Sequence, residues 1–152
     1  MLLSSAPVVV DFLHGSMVAL VATVSATDRP FVTPLWFVVD GGTLYLTTGT
    51  ATWAARNVAR QPEVALLLTG ERLTRPGEVL CLHGMATMHA GRPPWRVLLR
   101  IAAKYYAAPG GLAVELSNVT KWRLRGRLYA QVKGGAGYLQ VVPTGGEVLR
   151  RL

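Results

Sequence analysis

Residues 29–48 read RPFVTPLWFVVDGGTLYLTT, and this stretch carries the clearest structural signal in the sequence. Two runs rich in β-branched and aromatic residues, 31–39 and 43–48, flank the tripeptide Asp40-Gly41-Gly42. Strands favour such residues, and glycine tolerates the positive φ angles that a tight hairpin turn needs. The stretch therefore predicts a β-hairpin.

Turn residues divide the rest of the chain into further short elements. We predict strands at 17–24, 63–69, 79–89 and 138–142, and a segment of two-residue period at 118–133. Helices are predicted at 53–60 and from residue 91 to about residue 107, each ended by a nearby proline. This pattern favours a single mainly β domain over residues 1–152, with its core at about 15–142. We expect a mostly antiparallel barrel with helices at its rim, because closure removes exposed strand edges.

The second predicted helix is expected to bury an apolar stripe. Five residues recur at helical spacing and form the stripe: Trp95, Leu98, Leu99, Ala102 and Tyr106. Three cations follow one another on a different face: Arg96, Arg100 and Lys104. The spacing predicts that the apolar stripe packs on the barrel and that the cations face solvent.

The composition excludes several classes of protein. Apolar residues make up 51% of the chain and charged residues 16%, which excludes a disordered tail. Sixteen Lys and Arg against eight Asp and Glu give a net charge of +8, which suits anionic ligands. The longest apolar run, 17–24, is far shorter than the roughly 20 residues of a membrane-spanning helix. Without a signal-peptide pattern at the start, we expect a cytoplasmic protein with no membrane partner.

The side chains that carry chemistry are few. No two carboxylates have a spacing that brings them together, and His14, His83 and His89 lack the spacing of a metal site. Cys81, the only cysteine, lies on the same strand face as His83. A Cys/His catalytic pair is one interpretation, but buried thiols act mostly as small apolar groups. We predict no metal site, and a bound cofactor is the natural source of any redox chemistry.

A candidate anion site precedes the first predicted helix. Four threonines and a glycine lie there: Thr47, Thr48, Gly49, Thr50 and Thr52. The start of a helix presents unpaired N–H groups and partial positive charge, which suit a phosphate, and Arg56 can add to them. The alternative is that the threonines only cap the helix.

A second basic feature lies in the segment of two-residue period. Lys121, Arg123, Arg125 and Arg127 alternate with apolar residues, which predicts either a solvated strand face or an anion site. Trp122 falls on the opposite face from these cations, so base stacking and phosphate contact would not share one surface. Nucleic acid is therefore an unlikely partner.

The order of these segments resembles a known family. Residues 21–48, the run 56–66 and the tripeptide Gly84-Met85-Ala86 are similar to the pyridoxamine 5'-phosphate oxidase-like, FMN-binding split barrels. Within them they look most like the flavin/deazaflavin oxidoreductase group. The resemblance covers residues 15–90 best. It implies a six-stranded antiparallel split β-barrel with two or more helices, a homodimer, and two cofactor sites at the dimer interface.

The resemblance also implies which residues bind the cofactor. Four would lie near the flavin ring: Thr33, Pro34, Leu35 and Trp36. Six would lie near the phosphate end: Thr48, Thr50, Thr52, Trp53, Arg56 and Asn57. Family members commonly have a Lys where this chain has Ala54, which weakens the expected phosphate site. Residues 122–127 lack the pattern of true pyridoxamine phosphate oxidases, so synthesis of pyridoxal phosphate is not expected.

The leading hypothesis is an oxidoreductase that binds FMN and transfers hydride to or from a small organic substrate. The first alternative is a reductase that uses the 8-hydroxy-5-deazaflavin coenzyme, whose acidic tail would suit the basic segment. The second is a split barrel that binds or senses a ligand without catalysis. No catalytic residue is assigned, and the candidate proton donors are Tyr105, Tyr106 and Tyr138.

Overall fold

The computed structural model describes residues 7–70, 77–106 and 135–150. Within these ranges the helices are α1 (Pro7–Gly15), α2 (Trp53–Arg60) and α3 (Trp95–Tyr106). The strands are β1 (Val18–Val24), β2 (Pro30–Asp40), β3 (Thr43–Gly49), β4 (Glu63–Leu68), β5 (Glu78–Ala90) and β6 (Ala136–Arg150). The segment predicted at 118–133, with its alternating cations, lies outside the described residues.

The strands form a closed antiparallel barrel in the order β1-β2-β3-β6-β5-β4. The hairpin predicted from residues 29–48 is confirmed: Asp40 pairs with Thr43 across Gly41 and Gly42, whose φ angles are 60° and 79°. These positive angles explain why the turn uses two glycines. The predicted six-stranded antiparallel barrel is confirmed as well, and the described ranges include three helices beside it.

The core of the barrel consists of every second residue of its strands. Buried and half-buried residues alternate along β1, as the period of a strand requires. The fully buried positions include Val21, Phe37, Leu44, Leu46, Leu66, Leu82, Leu139 and Val141. Each such side chain stabilises the fold by about 1.5–3 kcal/mol relative to its exposed state.

Strand β5 bends at the glycine that the sequence places inside it. The β5–β6 register shifts between His83 and Gly84. A Cβ atom on Gly84 would lie 2.7 Å from Val141 Cγ1 and 2.8 Å from the backbone oxygen of Val142. Only glycine therefore allows the two strands to approach this closely at the bend.

Two elements extend beyond the predicted core range of about 15–142: α1 before it and β6 after it. Helix α1 was not predicted, because Val8, Val9 and Val10 have low helix propensity. Burial favours the helix in spite of these valines, because Phe12 and Leu13 of α1 are 0% and 6% exposed and belong to the core. At the other end, β6 continues to Arg150 rather than ending at residue 142.

The orientation predicted for the second helix, α3, was also wrong. Trp95, Leu98 and Leu99 of the predicted core stripe are 70%, 41% and 60% exposed, whereas Val97 is fully buried. The side of α3 that faces the barrel also carries Lys104 and Tyr105, which form hydrogen bonds to backbone groups of the barrel. These polar contacts, and not the apolar stripe, fix the rotation of α3 about its axis.

Candidate functional site

Strand β2 of the closed barrel exchanges its ladder partner at Phe37. From Pro30 to Trp36, β2 pairs with β1, and from Phe37 to Asp40 it pairs with β3. Strand β3 pairs with β6 along its opposite edge, from Leu44 to Gly49. No ladder joins residues 33–36 of β2 to residues 47–49 of β3. We call the gap between these two stretches the β2–β3 opening.

Backbone groups at the edges of the opening point into it. The N–H and C=O of Phe37 point toward the β1 side, where they contact Tyr105. Since directions alternate along a strand, the backbone groups of Pro34 and Trp36 point toward β3. Proline has no N–H, and a strand tolerates it at such an edge. The edge of β2 at the opening therefore carries the Pro34 carbonyl as a hydrogen-bond acceptor.

Helix α3 forms hydrogen bonds to Phe37, the residue at which β2 exchanges its ladder partner. The Tyr105 hydroxyl accepts a hydrogen bond from the Phe37 N–H at 2.9 Å and lies 2.6 Å from the carbonyl oxygen of Met17. Lys104 Nζ donates to the Phe37 carbonyl at 3.1 Å and lies 3.5 Å from the centre of the Phe37 ring. The hydroxyl thus bridges the last residue before β1 and the first residue of the β2–β3 ladder. Its single proton is held by a carbonyl oxygen, which leaves Tyr105 poorly placed to protonate a substrate.

The four residues predicted to lie near a flavin ring occupy both faces of β2. Pro34 and Trp36 are exposed on the outer face, whereas Thr33 and Leu35 are half-buried on the inner face. Leu35 packs against the core, and the Trp36 ring stacks on the Tyr105 ring with centroids 4.5 Å apart. The outer face at the opening is therefore a flat apolar surface, and the sequence resemblance did not indicate its contact with Tyr105.

The threonines before α2 form a cap. Thr52 is the N-cap residue: its Oγ1 accepts a hydrogen bond from the Ala55 N–H at 3.3 Å and donates to the Gly49 carbonyl at 3.0 Å. Thr48 Oγ1 lies 2.9 Å from Thr52 Oγ1. The N–H of Thr50 bonds to the Gly135 carbonyl at 3.1 Å. The capping contacts predicted for this segment are therefore present, and the anion site stays a prediction.

An aromatic stack covers the start of α2. The Trp53 ring stacks on Phe31 of β2 with centroids 5.1 Å apart, and Trp53 is 56% exposed. The Arg56 guanidinium lies over the same Trp53 ring, 5.6 Å from its centre. This stack occupies the α2 end of the β2–β3 opening.

Two residues next to this stack point into the barrel. Asn57, predicted near the phosphate, is 3% exposed, and its Nδ2 donates to Thr23 Oγ1 at 2.9 Å. Ala54, which stands where the family commonly has Lys, is fully buried in the core. Asn57 therefore ties α2 to β1.

The remaining candidate groups lie on the outer face of β5 and β6. Cys81 Sγ lies 3.9 Å from His83 Nε2, and burial, followed by the Glu147 carboxylate, raises the pKa of the Cys81 thiol. A raised pKa lowers the thiolate fraction, which argues against a Cys/His nucleophile. Tyr138 stacks on His89 with centroids 4.9 Å apart, and His89 Nε2 is buried without a hydrogen-bond partner among the described residues.

Two predictions about the site are left: the absence of a metal site and the proton donor Tyr106. Within residues 7–70, 77–106 and 135–150, no three His, Cys, Asp or Glu side chains converge on a possible metal position. The side chain of Tyr106 lies outside the described residues.

A surface pocket lies apart from the opening. It has a volume of about 400 Å³ and is lined mainly by β1, β4 and β5, with one residue each from β2 and β6; Glu63, His83 and Met85 contribute to its walls. None of the predicted cofactor-binding residues lines it. Sequence reasoning missed this pocket, because its walls come from five strands that the chain brings together only in the closed barrel.

Solved structures share this arrangement of strands and helices. A putative pyridoxamine 5'-phosphate oxidase from Listeria innocua is 19% identical, with a TM-score of 0.61 over 94% of this chain and 96% of that chain. A structure described as an F420 reductase is 20% identical, with a TM-score of 0.60 over 90% and 93% of the two chains. HutZ, the heme storage protein from Vibrio cholerae, is 16% identical, with a TM-score of 0.59 over 95% and 93%. At these identities the likeness establishes the fold.

Sequence comparison gives a more specific result. No curated protein matches the chain significantly. None of the helices described here has the length and apolar character needed to cross a bilayer. Residues 6–126 match the family model described as pyridoxamine 5'-phosphate oxidase. Because this match spans most of the sequence, the chain belongs to the pyridoxamine 5'-phosphate oxidase family of split barrels.

Proposed function

We propose that this chain is a flavin-dependent oxidoreductase, with FMN bound at the β2–β3 opening and a small organic molecule as substrate. The observation that carries the proposal is the exchange of partner at Phe37, which leaves the edges of β2 and β3 without a common ladder. The edge of a flavin ring has donors and acceptors that suit such backbone groups. When bound, the flavin supplies the hydride chemistry, which the side chains described here do not.

The residues at the opening fit the ring system of this cofactor. Pro34 and Trp36 offer an exposed apolar surface, and Tyr105 holds the Trp36 ring in one orientation by stacking at an interplanar angle of 9°. An aromatic side chain fixed in this way presents a planar contact that loses little conformational freedom when a ligand binds. In the proposed enzyme these residues orient the ring and exclude water from one of its faces.

We further propose that the chain acts as a homodimer. Trp95 and Leu99 on the outer side of α3 are 70% and 60% exposed, and Val32 on the outer face of β2 is 61% exposed. Large apolar side chains exposed on neighbouring elements are typical of interaction surfaces. A second copy that covers α3 and β2 would shield both surfaces, and the family resemblance implies cofactor sites at such an interface.

The dimer can be tested by measuring mass in solution. Leu99→Glu should convert a dimer into a monomer in light scattering coupled to size-exclusion chromatography, because the carboxylate would be buried without a partner. Arg92→Gln, at an exposed position just before α3, controls for the change in charge, because it also lowers the net charge by one unit. A wild-type chain that is monomeric at about 100 μM contradicts the proposal, since obligate dimers have far lower dissociation constants.

Two alternatives to FMN are supported by particular observations. A deazaflavin coenzyme is favoured by the net charge of +8 and by the similar fold of a structure described as an F420 reductase. A ligand-binding protein without catalysis is favoured by the buried Ala54 and by a similar fold in a heme storage protein. The three candidates differ in which chromophore stays with the protein.

Cofactor retention tests the proposed function directly. The purified protein is mixed with FMN or with the deazaflavin coenzyme, desalted, and scanned for visible absorbance. Retained FMN that a reductant bleaches supports the proposal, whereas retention of neither compound favours the ligand-binding alternative. Trp36→Ala should weaken FMN binding about tenfold, because it removes the ring contact, while Trp36→Phe should keep most of the affinity.

A further inference from the structure

The first half of β5 carries a cysteine and a histidine on one face. Cys81 and His83 are two residues apart, so both side chains lie on the outer face of the strand, and Leu82 between them is buried. Cys81 Sγ lies 3.9 Å from His83 Nε2. Cys81 is half-buried and His83 is exposed. The sulfur and the nitrogen are therefore close together at a surface that a dissolved ion can reach.

The separation of these two atoms suits a shared metal ion. Bonds from a first-row metal ion to a thiolate sulfur and to an imidazole nitrogen are about 2.3 Å and about 2.0 Å long. One ion can therefore bridge a sulfur and a nitrogen up to about 4.3 Å apart, the sum of the two bonds. At the observed 3.9 Å the angle at the ion would be about 130°, which leaves one side of the ion open to a further ligand.

The neighbouring groups favour a soft monovalent cation. Within the described ranges no three His, Cys, Asp or Glu side chains converge, so Zn²⁺ lacks its usual set of ligands here. Thiolate and thioether sulfur select Cu(I). Met85, the next residue on the same outer face, adds a thioether. The Glu147 carboxylate acts on the Cys81 thiol from the paired position of β6, and its negative charge stabilises a cation bound there.

We propose that Cys81 and His83 form a binding site for Cu(I). The thiol releases its proton to solvent as the sulfur binds the ion, His83 binds through Nε2, and no electron is transferred. The imidazole stays neutral and keeps its proton on Nδ1. In the barrel β5 borders β4 and β6 and neither β2 nor β3, so the site is separate from the β2–β3 opening and does not depend on the proposed function.

Copper binding to the full chain tests the proposal. Cu(I) is added to the reduced protein without oxygen, the sample is desalted, and the copper that remains is counted by atomic absorption. The dissociation constant is measured by competition with bicinchoninate, a chromophoric ligand of Cu(I). We expect one Cu(I) per chain. Loss of all copper on desalting overturns the proposal. One Cu(I) per two chains also overturns it, because that ratio indicates an ion shared between two Cys81 thiolates.

Two variants distinguish a site of two ligands from a reactive thiol. Cys81→Ser should abolish Cu(I) binding. His83→Gln should weaken it about tenfold or more, since even residues that only orient a ligand change metal affinity by about 10–100-fold. His14→Gln is the matched control, because His14 is exposed on α1 and its loss should leave the affinity unchanged.

Far-ultraviolet circular dichroism confirms that each variant is folded before copper is added. If folded His83→Gln binds Cu(I) as tightly as the wild type, the thiol alone holds the ion and the proposal is overturned. An equal loss of affinity in His14→Gln and His83→Gln overturns it as well, because the copper would then bind to any exposed imidazole.

Discussion

Replacing Tyr105 by phenylalanine removes one oxygen atom from the junction where β2 exchanges its partner. That oxygen accepts from the Phe37 N–H at 2.9 Å and lies 2.6 Å from the Met17 carbonyl oxygen and 2.9 Å from the Phe37 carbonyl oxygen. The aromatic ring stays, so the stacking on Trp36 is kept. The change therefore isolates the polar part of the contact between α3 and the barrel.

The structure gives the size of the effect. Phe37 is 1% exposed, so its N–H would lose its partner in a place that water does not reach. A buried donor without a partner costs about 1–3 kcal/mol, and the lost bond to Met17 adds roughly 1 kcal/mol. The Phe37 carbonyl keeps its bond to Lys104 Nζ. We expect Tyr105→Phe to lower the free energy of unfolding by about 2–4 kcal/mol, the sum of these two contributions.

Urea unfolding followed by far-ultraviolet circular dichroism measures this loss without depending on tryptophan fluorescence. Tyr45→Phe is the matched control, because the Tyr45 ring lies 6.1 Å from the Tyr138 ring and its hydroxyl forms no hydrogen bond within the described part of the chain. The control should change stability by less than about 0.5 kcal/mol. If the two variants unfold at the same urea concentration, the hydroxyl bridge does not hold α3 against the barrel, and the reasoning is refuted.

Three more predictions concern packing, a buried hydrogen bond and thiol chemistry. Gly84→Ala should destabilise the fold by about 1–3 kcal/mol, because the added Cβ would clash with a backbone oxygen. Gly145→Ala is the control: a Cβ there meets open space, so the same urea titration should show almost no change in stability. A double-mutant cycle of Asn57→Ala and Thr23→Val should give a coupling of about 1 kcal/mol or more from their 2.9 Å bond, and purely additive losses would contradict that contact. The pKa of the Cys81 thiol is raised, so iodoacetamide should alkylate Cys81 more slowly at pH 7 than it alkylates a free cysteine. The alkylation rate should still increase above pH 9. A rate that levels off near pH 8 would contradict the raised pKa.

The sequence predicted the barrel well because its strands obey local rules. The two-residue alternation, the Gly41-Gly42 turn and the glycine inside β5 each have a physical cause that acts over a few residues. Helix α1 escaped prediction because its valines oppose a helix locally, and the burial of Phe12 against distant strands decides its structure. Tertiary burial of this kind cannot be read from a short window of sequence.

The candidate site was predicted less completely, for a related reason. The cap at Thr52 follows from local helix chemistry and was one of the two interpretations that the sequence offered. The clamp formed by Tyr105 joins residues that lie 68 positions apart in the chain, and periodicity placed the apolar stripe of α3 on the wrong side. One signal in the sequence does point to the opening: Pro34, inside a run that otherwise pairs well, marks a strand edge.

The barrel and its opening have the same origin in β2. A single strand of 11 residues pairs with β1 along its first half and with β3 along its second half. The ladder with β3 begins at Phe37, so the residues of β2 before Phe37 have no ladder on the side that faces β3. The same exchange of partner therefore continues the barrel and creates the opening. Different residues therefore determine stability and ligand binding. Substitutions at Phe37 or Tyr105 should change the free energy of unfolding, whereas substitutions at Pro34 should change ligand binding at the exposed edge of β2. A variant at Pro34 that alters flavin retention at constant unfolding free energy would place the ligand at the opening and not at the pocket beside Glu63.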